Sequence, residues 1–409
     1  MSASTLKVAL LGFGVVGGGT AEVITENQDR IRLATGGGMD IRYILDLRDF
    51  PDSPFADRIV HDYNIILNDP EVDAVVEMMG GSHPAYEFTK SALMAGKHVV
   101  TSNKEVVANF GTELLSLAAE HGVRYLFEAS VGGGIPIIRP MQTDLASNEI
   151  LTVSGILNGT TNFILTKMKN EGAAFETVLK ESQAKGYAEA NPTADVEGID
   201  AARKISILAA LAYGILPDST TIPTEGITGI TALHTAVADK LGGAVKLIGH
   251  TERIDGKVYA EVSPYLVLSA NPLSHVDDVF NGILVEANML GRALFYGAGA
   301  GKLPTASAVV ADIIDVLSHR ADERKLPVWK NATADDIASR DDYVCRRCYL
   351  VDGCPKCAAK AKAALLTEEC VEIADGRFAV VSAPMSAKAA AETIASTGVT
   401  VTFCIPVLE

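Results

Sequence analysis

VALLGFGVVG, Val8 to Gly17, sets a short apolar run directly ahead of the spacing Gly12-x-Gly14-x-x-Gly17. A run of this length reads as a buried strand, and three glycines so spaced suit the turn from a strand into a helix. The first allows a tight turn, the second lets the backbone approach a pyrophosphate, and the third lets the helix pack closely on the strand. The helix N-terminus then faces the phosphates. Gly12, Phe13, Gly14, Val15, Val16 and Gly17 are therefore candidate cofactor contacts. A bare glycine pattern also fits a structural turn. Here Ala21 onward to Ile31 continues with helical apolar spacing, and Ile41 to Leu45 supplies a second strand, as a dinucleotide-binding unit requires.

Strand and helix patterns keep alternating in the manner of a doubly wound parallel sheet. Val72 to Met78, His98 to Thr101 and Val123 to Phe127 read as strands, and Pro84 to Ala95 and Leu114 to Glu120 as helices. Ligands of such sheets bind outside the carboxyl ends of the strands, so the loops Gly80 to His83 and Ser102 to Lys104 are expected to line the crevice. A glycine-rich link, Gly132 to Pro136, ends this pattern. The strand Ile150 to Leu157, the polar corner Asn158 to Asn162, a hairpin about Asp255 and Gly256, and the strands Ile283 to Ala287 and Ala293 to Tyr296 predict helices on a mostly antiparallel sheet. The amphipathic segment Thr305 to His319 is expected to return to the first domain, and Asn331 to Arg340 to be a polar linker. The expected domains are 1–132 with a return helix over 305–330, a catalytic and dimerisation domain over 133–304, and a small module over 341–409.

With 409 residues, 48% of them hydrophobic and 21% charged, the chain has the make-up of a soluble globular protein of two or three domains. A net charge of -16 with no basic tract argues against nucleic acid or an anionic membrane as partner. The longest apolar helix, about Ile205 to Leu216, is too short to span a bilayer, and a cytoplasmic location is expected.

GYAEANPTADVEGIDAARK, Gly186 to Lys204, carries acids and a lysine into a long apolar helix. Asp200 and Lys204 stand four apart and share a helix face, and the apolar residues from Ile205 to Ala212 require that the helix be buried. The pair reads as a catalytic acid and lysine in a cleft; a salt bridge at the mouth of a core helix is the plain alternative.

These segments resemble homoserine dehydrogenase over nearly the whole chain. The resemblance rests on VALLGFGVVG, on TSNKE at Thr101 to Glu105, FEASVGGGIP at Phe127 to Pro136, LNGTTNFIL at Leu157 to Leu165, the Gly186 to Lys204 stretch, and GAGAGKLPTASAVVADI at Gly297 to Ile313. It implies NAD(P)H-dependent interconversion of L-aspartate 4-semialdehyde and L-homoserine, on the way to threonine, methionine and isoleucine. It makes Lys204 the proton-transferring lysine, Lys104 a lysine at the junction of cofactor and substrate, and Asp200 their acidic companion. Glu189, Asp195 and Tyr187 become substrate contacts, with Glu189 on the substrate ammonium. Ser102, Gly186 and Gly301 join the cofactor contacts. Glu128 with the carbonyls of Val131, Gly133 and Ile135 resembles a monovalent cation site, usually sodium; an acid beside a glycine-rich loop is as readily a turn or helix cap. Asp46 favours NAD and Arg48 NADP, and Arg48 with Asp49 tips the expectation to NADP. A homodimer or homotetramer is expected. A rival amino-acid dehydrogenase, or a silent amino-acid sensor, would share the architecture; the first would not need the 186–204 constellation, and the second would not need both lysines.

Cys345, Cys348, Cys354 and Cys357 form two CxxC pairs. Zinc, reduced thiols and redox pairing are all open readings, the interval between pairs being shorter than in common zinc ribbons. The strands and helices read around them resemble a short ββ-α ACT-like module, with an amino-acid effector such as threonine implied.

Overall fold

The apolar run becomes β1 (Leu6–Leu11), at the centre of a six-stranded sheet. The computed structural model describes residues 5–318, 328–373 and 376–409. β2 (Met39–Leu45), β3 (Ile59–Val60), β4 (Ala74–Glu77), β5 (His98–Thr101) and β6 (Tyr125–Leu126) complete the sheet in the order β3-β2-β1-β4-β5-β6, parallel throughout. This is the order of a doubly wound dinucleotide-binding sheet, with its switch point beside β1. Leu6, Val8, Leu10, Val76 and Val100 are wholly buried. Ala308, Val309, Ile313 and Val316 of the helix Lys302–Ser318 pack into the same core, so that helix does return to this unit; 319–327 lie outside the described residues, and the expected helical end at Lys330 is instead in the short strand Lys330–Asn331.

Two elements differ from expectation. The helical pattern after Gly17 forms Val15–Glu26, breaks at Asn27 (φ -111°, ψ 17°) and resumes as Gln28–Thr35, which ends in left-handed Gly36. Lys104 does not end a loop. It opens the helix Lys104–Glu120, because the Asn103 side chain accepts the N–H groups of Glu105 and Val106.

The second sheet is built on the hairpin. β7 (Ile150–Ile156), β8 (Gly243–Ile254), β9 (Lys257–Leu268), β10 (Phe280–Ala287) and β11 (Gly291–Ala298) come from the expected segments. Asp255 (φ 51°) and Gly256 (φ 83°) are both left-handed, as a two-residue hairpin joining β8 to β9 demands. The C-terminal chain adds β12 (Arg347–Asp352), β13 (Cys370–Glu372), β14 (Arg377–Val381) and β15 (Thr400–Leu408). The order is β11-β10-β7-β8-β9-β15-β12-β14-β13, nine strands in one sheet. β15 runs parallel to β9, with Leu266 opposite Val407 and Val267 opposite Leu408. With the helices Pro355–Ala364 and Ala387–Ser396 the tail is a βαββαβ unit rather than ββ-α; three-residue β13 is too short to show a period in sequence. By compactness the chain divides into 1–147, 210–218 and 297–331 against 148–209, 219–296 and 332–409. The first unit thus runs past the expected boundary at 132, and the tail belongs with the second.

Candidate active site

At the end of β1, Gly12 is left-handed (φ 90°). A Cβ on Gly17 would stand 2.1 Å from the Gly12 carbonyl oxygen, so only glycine permits this approach of helix to strand. Gly14 is the N-cap of Val15–Glu26; it has no side chain to satisfy the helix N-terminus, and the first turn carries no acid, which suits an incoming anion. The residues therefore fit a dinucleotide. At the end of β2, Asp46 accepts the Phe13 N–H at 2.8 Å, and it accepts the backbone N–H and Nε of Arg48 at 3.0 and 2.9 Å. The Arg48 bonds, foremost, hold the Asp46 carboxyl at about 2. The acid is turned inward as a bracket, while the guanidinium is exposed and lies 5.0 Å from the Phe50 ring centre.

Glu77, which the sequence reading passed over, fastens the two crevice loops. Wholly buried at the end of β4, it accepts Thr101 Oγ1 at 2.5 Å and the Met79 N–H at 2.7 Å, and burial pushes its carboxyl up. Asn103 reaches from the other loop to the Gly81 carbonyl, 2.8 Å away. Ser102 donates its N–H to the Glu77 carbonyl, and half-buried Lys104 follows as the first residue of its helix. The sequence signal for Glu77 was an acid closing an otherwise apolar strand. Gly301 (φ 122°) immediately precedes the helix Lys302–Ser318.

Glu128 has a structural employment. Its Oε1 accepts the N–H groups of Ile137 and Ile138 at 2.6 and 2.8 Å, and its Oε2 that of Arg139 at 2.8 Å, so its charge caps the helix Ile138–Gln142. Asp312 accepts the Glu128 N–H at 2.8 Å and an Arg139 guanidinium N–H at 2.6 Å. Burial first, and the Glu128 charge second, push the Asp312 carboxyl up to about 8. Of the other residues expected around a cation, Val131 and Ile135 are buried, and left-handed Gly133 lies against the Gly299 carbonyl.

In the second unit the acid and lysine do share a helix face. Lys204 Nζ lies 2.9 Å from Asp200 Oδ2 and donates to the Leu157 carbonyl at 2.7 Å. The two residues are 7% and 4% exposed, which removes them from the class of surface salt bridges. Asn158 is both the expected N-cap, accepting the Thr161 N–H, and a bridge: its amide donates to Asp195 Oδ1 at 2.7 Å and to Asp200 Oδ2 at 3.0 Å. Sequence reasoning placed Asn158 at a corner but missed the bridge, whose partners are 37 and 42 residues away. Asp195, Asp200 and Lys204 are thus brought together. Tyr187 is tied to the polar corner rather than to these three side chains: its carbonyl accepts Thr160 Oγ1 at 2.7 Å. Glu189 is exposed, on a loop pinned where Gln183 Nε2 donates to its carbonyl, and left-handed Gly186 opens that loop.

The four tail cysteines do not converge. Cys348 is buried in β12 and Cys345 pairs opposite Met385, while Cys354 and Cys357 open the helix Pro355–Ala364. Among the described residues no group of three or more His, Cys, Asp or Glu is placed to hold a metal ion, so the zinc reading finds no support.

Comparison with known proteins agrees with this geometry. Residues 12–128 match the family model described as "Homoserine dehydrogenase, NAD binding domain" and residues 136–314 the one described as "Homoserine dehydrogenase". A homoserine dehydrogenase of Synechocystis sp. is 43% identical over 320 residues, 76% of this chain and 73% of that protein. The crystal structure of a homoserine dehydrogenase from Thiobacillus denitrificans superposes with a TM-score of 0.90 at 36% identity, covering 100% of both chains. A hyperthermophilic archaeal homoserine dehydrogenase mutant in complex with NADPH superposes at 0.66 and 30% identity, over 76% of this chain and 97% of that one. The chain belongs to the homoserine dehydrogenase family, and is an NAD(P)-dependent oxidoreductase acting on a CH–OH group.

Proposed function

We propose that the chain reduces L-aspartate 4-semialdehyde reversibly to L-homoserine, with Lys204 as the group that moves the proton. The observation that carries this is the placement of Lys204, buried and held at 2.9 Å from Asp200 and 2.7 Å from the Leu157 carbonyl. A coenzyme held at the Gly12–Gly17 turn would supply the hydride that the carbonyl carbon takes up. The chain must then protonate the oxygen as it becomes an alkoxide, and an ammonium fixed by two acceptors is a donor that needs no reorganisation. In the reverse direction neutral Lys204 takes the hydroxyl proton. Asp200 orients the amine, Asn158 fixes Asp200 against Asp195, and Asp195 with Glu189 supplies the negative charge that an amino-acid ammonium requires. Tyr187 borders the same corner. Ser102, after β5, and Lys104, at the head of its helix, serve the cofactor crevice with Gly301; Gly186 is a coenzyme contact on the resemblance alone.

NADPH is the proposed coenzyme. Asp46 is occupied by Phe13 and Arg48, whereas the Arg48 guanidinium, after β2, is exposed and is the kind of group that takes a 2′-phosphate. The test is initial rates of NADPH and NADH oxidation with L-aspartate 4-semialdehyde for the wild type and Arg48→Ser. A preference for NADPH that falls about tenfold in Arg48→Ser supports the reading; an unchanged preference refutes it.

The resemblance further suggests a sodium ion at Glu128 with the carbonyls of Val131, Gly133 and Ile135. Glu128 is a buried carboxylate, an oxygen donor of the kind that a hard cation takes. An ACT-like effector role for the tail, with threonine as ligand, finds support in its βαββαβ order. Assembly as a homodimer or larger oligomer finds support in the exposed Met289, Leu290, Leu294 and Tyr296 on or beside edge strand β11. No described helix is long and apolar enough to cross a membrane, and we place the enzyme in the cytoplasm, in the route to threonine, methionine and isoleucine.

A further inference from the structure

The tail holds two cysteine pairs of identical spacing and opposite surroundings. Cys345 and Cys348 lie on extended chain, where side chains three positions apart point to opposite faces. Cys348 is wholly buried, and burial pushes the Cys345 thiol up to about 12. Cys354 and Cys357 instead are the N-cap and third residue of the helix Pro355–Ala364, where positions three apart share a face. Their sulfurs lie 3.8 Å apart, Cys354 is exposed, and Cys357 is half-buried against the apolar core of the tail. We propose that Cys354 and Cys357 form a reversible dithiol–disulfide couple that exchanges with low-molecular-weight disulfides, Cys354 attacking and Cys357 resolving.

The geometry serves each step. Cys354 Sγ sits at the helix N-terminus, where the backbone N–H groups of Cys357 and Lys356 favour its thiolate and hold its thiol below the usual range. Its exposure admits the disulfide reagent. The Cys354 thiolate attacks one sulfur of RSSR, forming a mixed disulfide and releasing RS⁻. Cys357 then gives up its proton and attacks the Cys354 sulfur, expelling the second RS⁻. Two protein thiols are oxidised, one RSSR is reduced to two RSH, and two electrons pass. The sulfurs, 3.8 Å apart, have less than 2 Å to close to reach a bond of about 2.05 Å.

The consequence is confined to the tail. Cys357 and Cys370 border the core of Tyr349, Val351, Ala361, Leu365 and Val380, so the couple sits against the packing of the helix on β12 and β14. A disulfide would tie the first turn of that helix.

The full-length, reduced protein is incubated with about 1 mM glutathione disulfide, in excess over the protein thiols. The remaining thiols are then alkylated and the products mapped by peptide mass spectrometry. The expected result is loss of two hydrogens on the peptide carrying residues 354–357, with the other four cysteines alkylated and dithiothreitol restoring all six. Cys357→Ser is expected to stop at a stable glutathione adduct on Cys354. Cys354→Ser, which keeps a good N-cap and therefore the helix, is expected to lose the reaction by at least tenfold in rate. Six alkylatable thiols after oxidation, bridging that maps to Cys345 or Cys348, or equal adduct formation in Cys354→Ser would each overturn the proposal.

Discussion

Asp200 and Glu128 are both buried acids at the entry to a helix, yet their partners differ in kind. Asp200 meets an ammonium at 2.9 Å and a side-chain amide at 3.0 Å, whereas Glu128 meets three backbone N–H groups, none of which can give up its proton. Around Asp200 the fixed charge steadies a group that can exchange a proton. Around Glu128 the fixed charge caps the start of a helix and, with Arg139 and Asp312, closes a structural cluster. Burial and charge alone do not separate a reaction site from a brace; the titratability of the partner does.

The comparison is broken most severely if both clusters respond alike to removal of their key groups. Lys204→Ala is expected to lower kcat by about 10³ while coenzyme binding stays within a few-fold, read by steady-state kinetics and a coenzyme titration. Glu128→Ala is expected to act on folding, by roughly 3 kcal/mol, because it strips the acceptor from three N–H groups at about 1 kcal/mol or more each; a denaturant midpoint checks it.

A pH series sharpens the contrast. The Asp312 carboxyl, pushed up to about 8 from 3.8, binds a proton in the folded state that the unfolded chain has lost. Its contribution is full below pH 4 and disappears as pH rises through about 8. In sodium-free buffer the stability of the wild type should fall relative to Asp312→Asn by up to about 1.4 kcal/mol per pH unit between pH 5 and 8; parallel curves would contradict the assignment. The smallest effect is expected of Asn158→Asp, which keeps the cap on Thr161 but removes both amide donors. A roughly tenfold loss of kcat with an upward shift of the pH optimum is expected, as a third acid near Lys204 favours its charged form.

Legibility in the sequence followed the range of the interaction. β1, its turn and the following helix could be read because glycine spacing and an apolar run are local signals. So could the hairpin at Asp255 and Gly256, and the Asp200–Lys204 pair at one helical turn. β3, two residues long, could not be read, nor could the start of the helix at Lys104, where no apolar residue precedes Val106. The same limit hid the bridging amide of Asn158 and the Asp312 partner of Glu128, 184 residues away, although the cap at Glu128 was one of the readings its sequence allowed. The tail left three readings open for another reason: spacing does not tell zinc-bound cysteines from free or paired thiols, and only the strand or helix beneath them decides whether they converge.

Lys204 is tested most directly by single-turnover oxidation of bound NADPH by L-aspartate 4-semialdehyde, comparing folded wild type with Lys204→Ala at saturating substrate. The account predicts a rate about 10³ lower in the variant with coenzyme still bound. A variant that turns over within about tenfold of the wild type would show that another group moves the proton and would return the Asp200–Lys204 pair to the class of structural ion pairs.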